Sequence, residues 1–97
     1  METKLKQYQQ IKLGQVWKRQ VYSSGLSDNE YRGDAYYLVI AKQSMGQWKL
    51  ALLVKEPKDM RLGYDRFNNQ WIKGKEIREE LVQVDPEPVK SAIVLFG

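Results

Sequence analysis

Two long apolar runs joined by three residues constrain the fold more than any other feature of this sequence. The runs cover residues 35–43 and 47–54, and the connection Ser44-Met45-Gly46 contains a glycine. Both runs are rich in β-branched and aromatic residues, which predicts a β-hairpin whose loop places a residue at positive φ. Both faces of the first run are apolar, so we expect a central strand that is covered on both sides. The second run alternates and is expected to turn four side chains inward: Trp48, Leu50, Leu52 and Val54.

Shorter patterns before and after the hairpin predict further strands. Residues 15–22 follow Gly14 and form a candidate first strand, although the alternation leaves its inward face undecided. Residues 62–67 and 70–73 flank Asn68-Asn69 and predict a second, shorter hairpin, because asparagine tolerates the left-handed conformation of a tight turn.

The C-terminal part of the chain is predicted to hold one helical turn and two strands. Ile77 and Leu81 stand four positions apart, so residues 75–80 are expected to form a helical turn with its acidic side chains in water. Residues 81–84 have the composition of a strand. Residues 91–96 are apolar on both faces, and we expect them to form a closing strand that docks into the body.

Together these elements predict one all-β domain over residues 1–97. The expected architecture is a small SH3-like, partly open barrel of about five to seven strands with one short helical turn. Residues 1–12 are polar, with an apolar side chain at every third position from Leu5. They are expected to form either a short helix or a frayed N-terminal extension.

Missing residue types narrow the chemistry that this chain can perform. It contains no cysteine and no histidine, which excludes disulfides, thiolate and imidazole catalysis and the usual zinc sites. No apolar run approaches the roughly 20 residues of a membrane span, and the first residues lack the apolar segment of a signal peptide. We therefore expect a non-enzymatic, cytoplasmic protein with no cofactor and no membrane partner.

Positive charge is concentrated in the first half of the chain. The net charge is +4, residues 1–24 carry five bases and one acid, and residues 35–55 carry three bases and no acid. Acids and bases are balanced over residues 56–84. This asymmetry favours a polyanionic partner, and the alternative is a solvated, mildly cationic surface.

Aromatic side chains next to basic ones recur along the chain, and a groove for nucleic acid pairs stacking rings with phosphate-binding cations in this way. The candidate binding residues are Lys12, Trp17, Lys18, Arg19, Tyr31, Arg32 and Lys49. The alternative is that the larger rings fill the core of a small barrel. Trp48 is expected there, Trp17 and Trp71 could lie in either place, and Tyr31 is expected to be exposed.

Residues 23–34 form a polar stretch that is long for a loop of so small a domain. Loops of this length are usually functional or disordered. The stretch contains Arg32-Gly33-Asp34, the tripeptide that integrin ligands display. These are three common residues without a confirming context, so we do not predict adhesion from them.

The order of the patterns resembles small SH3-like barrels. The matching segments are Gly14-x-Val16-Trp17, Tyr37-Leu38-Val39-Ile40, Leu50-Ala51-Leu52-Leu53 and Glu80-Leu81-Val82-Gln83-Val84. The first two segments are also similar to the start of the PemK/MazF growth-inhibitor ribonucleases, which would imply ribonuclease activity. Those toxins carry a basic Arg-Pro stretch before the second strand, and Gly33-Asp34-Ala35-Tyr36 stands there in this chain. No catalytic residue is carried over, because a shared fold does not transfer function.

Three functional hypotheses follow from the sequence. The leading one is a non-enzymatic binding module that engages nucleic acid, or a nucleic-acid-handling protein, through a basic, aromatic-bearing surface. The second is a small protein-interaction or inhibitor domain, which could form a homodimer through the strand at residues 91–96. The third is a PemK/MazF-like ribonuclease. The size, charge and lack of cysteine would suit an accessory protein of a phage or plasmid.

Overall fold

Over the described residues, the fold consists of one antiparallel sheet with two short α-helices and one 3-10 helix. A computed structural model describes residues 10–23 and 30–96. The strands are β1 (Val16–Tyr22), β2 (Tyr31–Gln43), β3 (Gln47–Glu56), β4 (Trp71–Lys73) and β5 (Val82–Val84). The helices are α1 (Gly74–Glu80), a 3-10 helix (Glu87–Val89) and α2 (Lys90–Phe96).

The order of the strands in the sheet is β4-β3-β2-β1-β5. The all-β prediction is therefore confirmed, and the five described strands fall within the expected number. The sheet does not close, because β4 and β5 form its two edges. The SH3-like barrel is thus not confirmed by the described residues. Neither described α-helix is long and apolar enough to cross a membrane.

The central hairpin agrees with its prediction. Strands β2 and β3 pair from Gln43 and Gln47 outward. The connection contains Met45 at φ 71° and Gly46 at φ 70°, so two loop residues take the left-handed conformation where one was expected. Strand β2 lies third of five in the sheet, as expected for a strand that is apolar on both faces.

Strand β2 begins at Tyr31, earlier than the sequence suggested. Residues 31–34 were expected to belong to a long loop, but they pair with the end of β1. The Arg-Gly-Asp tripeptide therefore lies inside a strand, where Gly33 is buried. Residues 24–29 lie outside the described residues, so the function of that shorter segment stays a prediction.

The main core lies on one face of the sheet. Trp17, Tyr37 and Leu50 come from three adjacent strands and are almost fully buried there, together with Phe67 and with Ile77 of α1. This resolves the undecided orientation of β1, since Trp17 turns toward this core and Val16 toward the opposite face. The opposite face is covered in part by α2, which contacts β3.

The N-terminal prediction is partly outside the described residues, since residues 1–9 are not described. Ile11 can be placed, and it is only 6% exposed and belongs to the main core. The segment that leads into β1 is therefore anchored from Ile11 onward.

The second predicted hairpin is wrong in its first strand. Residues 62–67 are irregular, and only Trp71–Lys73 forms a strand, which pairs with the start of β3. Asn68 and Asn69 hold this segment against β3 instead. The Asn68 side chain accepts a hydrogen bond from the Leu52 amide at 3.0 Å, and the Asn69 amide donates to the Leu50 carbonyl at 2.7 Å. These bonds replace the strand ladder that the sequence suggested.

The elements after β4 agree only in part with expectation. Helix α1 and strand β5 confirm the helical turn and the strand that were predicted for residues 75–84. The closing strand at residues 91–96 is wrong, because these residues form α2. A short apolar run fits a strand or a helix equally well, and a proline in the first turn of the preceding 3-10 helix favours helical continuation. A homodimer through these residues stays a prediction, but it can no longer form by pairing of strand edges, because the residues are helical.

Strand β5 covers only the first half of β1. Val16, Trp17 and Lys18 pair with β5 on one side and with β2 on the other. Within the described residues, the second half of β1 from Arg19 to Tyr22 pairs with β2 alone. This half-covered strand forms one wall of a cleft.

Candidate functional site

The predicted binding residues do not form one surface. Lys12 and Lys49 lie near the β2–β3 turn, Lys18 and Arg19 line a cleft beside β1, and Tyr31 and Arg32 lie at the opposite end of β2.

Trp17 lies in the core, which is one of the two places that the sequence left open for it. Its side chain is 1% exposed and packs opposite Tyr37 in the core. Its indole nitrogen donates a hydrogen bond to the Gln15 side-chain oxygen at 3.1 Å. The tryptophan in the Trp17-Lys18-Arg19 pattern therefore packs in the core and does not offer its ring to a ligand.

A basic cleft of about 520 Å³ lies beside the β2–β3 turn. It is lined by Gln10, Ile11, Lys12, Leu13, Lys42, Trp48 and Arg78. Three cations from three separate segments of the chain meet here, and none of the described lining residues is acidic. The cleft is therefore positively charged and concave, a shape that focuses the field on an approaching anion.

Packing beneath the basic cleft explains how its cations come together. Gly74 has no side chain, and a Cβ built on it would lie 3.3 Å from both the Arg78 guanidinium and the Ile11 side chain. The missing methyl group lets α1 and the N-terminal segment approach closely. On the other wall, Lys42 stands opposite Trp48 in the hairpin, with its ammonium 5.1 Å from the ring centroid.

A second cation–aromatic pair continues the basic surface around the same end of the sheet. Lys49 stands opposite Trp71, with its ammonium 4.9 Å from the ring centroid, and Trp71 is 38% exposed. Lys73 pairs with Gln47 in the same short ladder. We call this region the basic end and define it by Lys12, Lys42, Lys49, Lys73 and Arg78. None of these cations forms an ion pair within the described part of the chain.

A larger cleft of about 740 Å³ lies along the half-covered part of β1. We call it the tyrosine cleft, and it is lined by Lys18, Arg19, Gln20, Tyr22, Tyr64, Arg66, Phe67, Glu80 and Val82. Its charges are largely neutralised, since Arg66 pairs with Glu76 and Glu80. Lys18 is the cation of this lining that has no acidic partner among the described residues.

Arg19 has a structural role in a polar network beneath this cleft. Its guanidinium donates to the Tyr37 hydroxyl at 3.1 and 3.2 Å and to Asp65 at 3.3 Å. The Tyr37 hydroxyl donates to the other Asp65 oxygen at 2.5 Å, and the Phe67 amide donates to Asp65 at 3.0 Å. Arg19 is therefore committed to the fold, and a partner can reach only what remains of its surface.

Tyr31 and Arg32 line neither of the two clefts. Tyr31 is 53% exposed, as expected, and its ring packs edge-on against Tyr22 with the centroids 5.7 Å apart. Arg32 is also exposed. A partner bound in the tyrosine cleft could therefore reach Tyr31 beside Tyr22.

Comparison with known protein families, with curated proteins and with solved structures found no match for this chain. Within residues 10–23 and 30–96, no group of three or more acidic side chains is placed to hold a metal ion.

The Tyr37 hydroxyl makes the stability of the protein depend on pH in alkaline solution. Burial is the main reason why the pKa of the Tyr37 hydroxyl lies well above its ordinary value of 10.0. The hydrogen bond to Asp65 raises this pKa further, and the Arg19 guanidinium lowers it in part. A raised pKa means that the folded state holds the proton more tightly than the unfolded state does. The stability from neutral Tyr37 is therefore complete below about pH 10 and is lost progressively as the pH rises.

We expect the free energy of unfolding in urea to fall as the pH rises above about 10, and to fall less steeply in Tyr37→Phe. The difference between the two proteins isolates the contribution of the Tyr37 hydroxyl. Parallel curves for the two proteins would contradict the prediction.

Proposed function

We propose that this chain is a non-enzymatic binding module that holds nucleic acid through its phosphates at the basic end. The observation that carries this proposal is the convergence of Lys12, Lys42 and Arg78 on one cleft that lacks acidic lining residues among those described. Lys12 comes from the segment before β1, Lys42 from β2 and Arg78 from α1. Their meeting point is thus a product of folding, whereas a solvated surface would scatter its charges.

The chemistry of a nucleic acid backbone fits this surface. Lysine and arginine side chains that neutralise phosphates release condensed counterions, and this release drives binding. Lys49 and Lys73 extend the charge beyond the cleft, and the half-exposed ring of Trp71 offers a flat contact beside them. The chain's net charge of +4 attracts the same partner from a distance.

The described lining of the basic cleft supports binding better than catalysis. It offers cations, an amide and apolar side chains, with no carboxylate to take a proton from a reacting group. This composition favours the binding module over a PemK/MazF-like ribonuclease at this cleft.

The test is the salt dependence of binding to a labelled oligonucleotide, followed by fluorescence anisotropy. We expect the double variant Lys42→Gln, Arg78→Gln to bind more weakly and to lower the slope of log affinity against log salt by about 1.4 to 1.8, because two phosphate contacts are lost. The matched control is Lys58→Gln, Lys90→Gln. It has the same net charge, and its two exposed lysines lie outside the basic end.

A control variant that changed the slope as much as the cleft variant would mean that binding follows net charge alone. Absence of salt-dependent binding by the native chain at low salt would overturn the proposal.

The second candidate function is a protein-interaction domain, which predicts binding that salt affects little. It is favoured by the exposure of Val94 and Leu95 on α2, 71% and 88% respectively.

A further inference from the structure

We infer that the tyrosine cleft receives an unpaired base, so that this chain prefers single-stranded nucleic acid to a duplex. The inference rests on the proposed function and names the class of nucleic acid that the chain would select. It assigns a role to a second site, separate from the basic end, whose lining includes two exposed tyrosine rings.

Two exposed tyrosine rings line the tyrosine cleft. Tyr64 is 80% exposed and Tyr22 is 49% exposed. Each hydroxyl is already engaged, since that of Tyr64 donates to the Gln70 side chain at 3.0 Å and that of Tyr22 donates to the Gln20 side chain at 3.1 Å. The Tyr22 ring also packs edge-on with Tyr31, so Tyr64 presents the more open ring face. Every base can stack on such a face.

A fixed guanidinium plane adds to the stacking surface. The Arg66 guanidinium carbon lies 4.4 Å from the centroid of the Phe67 ring, and its two terminal nitrogens pair with Glu76 and Glu80. Arginine planes, like aromatic rings, stack on unpaired bases in complexes with single strands. Because Arg66 is already ordered by its partners, little conformational entropy is lost when a base contacts it.

Charge in the tyrosine cleft suits a single phosphate. Lys18 is the lining cation without an acidic partner in the described residues, whereas Arg19 is bound by Asp65. Stacking should therefore dominate at this site, while electrostatic attraction dominates at the basic end. A volume of about 740 Å³ falls in the range of sites that enclose small organic ligands, so a base can enter it.

Stacking in this cleft requires a base whose faces are free. In a duplex the bases are paired and stacked on one another, and only their edges and the backbone reach a protein. A duplex could still bind the basic end through its phosphates. The tyrosine cleft would then stay unused, and single strands would bind more tightly.

The experiment compares Tyr64→Leu with Tyr64→Phe on a single-stranded oligonucleotide and on a duplex of the same sequence. We expect Tyr64→Leu to weaken single-strand binding roughly 5- to 150-fold, the range measured for one stacked base, with an unchanged salt slope. Tyr64→Phe keeps the ring and should bind nearly as the native chain does. Duplex binding should change little in either variant.

The outcomes separate this inference from the proposed function. If the native chain shows no salt-dependent binding, both fail. If it binds with the expected salt slope but Tyr64→Leu binds single strands as tightly as the native chain, or the duplex binds more tightly, the inference alone is overturned. Thermal unfolding of both variants checks the fold, and little change is expected at so exposed a side chain.

Discussion

Gly33→Ala is expected to destabilise the protein by about 3 to 5 kcal/mol, the largest effect of any single substitution considered for this chain. A Cβ built on Gly33 would overlap the Glu56 carbonyl oxygen and lie 2.8 Å from Cδ of Pro57. Neither backbone nor a proline ring can move aside easily. The φ of Gly33 is also 153°, a conformation that other residues rarely adopt. Strands β2 and β3 would have to separate at this point to admit the methyl group.

Urea or thermal unfolding measures this effect, and Gly46→Ala is the matched control. Gly46 has a φ of 70°, but a Cβ there would meet nothing within 4 Å. The control carries the cost of a positive φ without the overlap, so we expect a loss of about 1 to 2 kcal/mol. In a domain of this size, the Gly33 variant should unfold at a temperature lower by on the order of 15 °C. Equal losses in the two variants would show that β3 does not approach Gly33 closely.

Asp65→Ala is expected to have the second largest effect, a loss of about 2 to 4 kcal/mol. The Asp65 side chain is 8% exposed, and it accepts bonds from Arg19, from the Tyr37 hydroxyl and from the Phe67 amide. Its removal leaves a half-buried guanidinium without a counter-charge and a buried hydroxyl without an acceptor. The Phe67 amide also loses its acceptor, which loosens the loop that forms the far wall of the tyrosine cleft.

Glu80→Ala provides the comparison for Asp65→Ala. Glu80 also pairs with an arginine, Arg66, but both side chains are more than two-fifths exposed. Ion pairs in that setting contribute at most about 1 kcal/mol. Chemical denaturation of both variants should therefore rank Asp65→Ala well above Glu80→Ala. Similar losses would mean that the Arg19 network is as solvated as a surface pair.

The parts of the fold that the sequence predicts are those set by local patterns. The central hairpin follows from alternation and from a glycine at its turn, and α1 follows from the spacing of Ile77 and Leu81. The short apolar run at 91–96 carries no such pattern, because it suits a strand or a helix packed on a sheet. The segment 62–67 is shaped by side-chain bonds to β3, which local pattern cannot reveal.

The candidate site is harder to predict, because neighbours in a strand point to opposite faces. Adjacency in the chain suggested Trp17 and Lys18 as a unit, yet Trp17 is buried in the core. The cation–aromatic pairs that do form are cross-strand pairs, Lys42 with Trp48 and Lys49 with Trp71. The first of these follows from the register of the predicted hairpin.

Residues far apart in the chain complete both clefts. Arg78 reaches the basic cleft only because α1 packs beside Ile11 at Gly74. Asp65 meets Arg19 and Tyr37 only because the loop before β4 folds over the core face. Such meetings depend on tertiary packing, and hydrophobic periodicity does not encode them.

The connectivity of the sheet has a consequence for how the molecule folds. Strands β1, β2, β3 and β4 pair with their neighbours in the chain, whereas β5 must return to β1, where Val84 pairs with Val16. Closing so long a loop is entropically more expensive than closing a hairpin, and non-local pairings of this kind slow folding. The meander is therefore expected to form first, and the edge that carries Val82 last. The tyrosine cleft would then be completed only in the final step of folding.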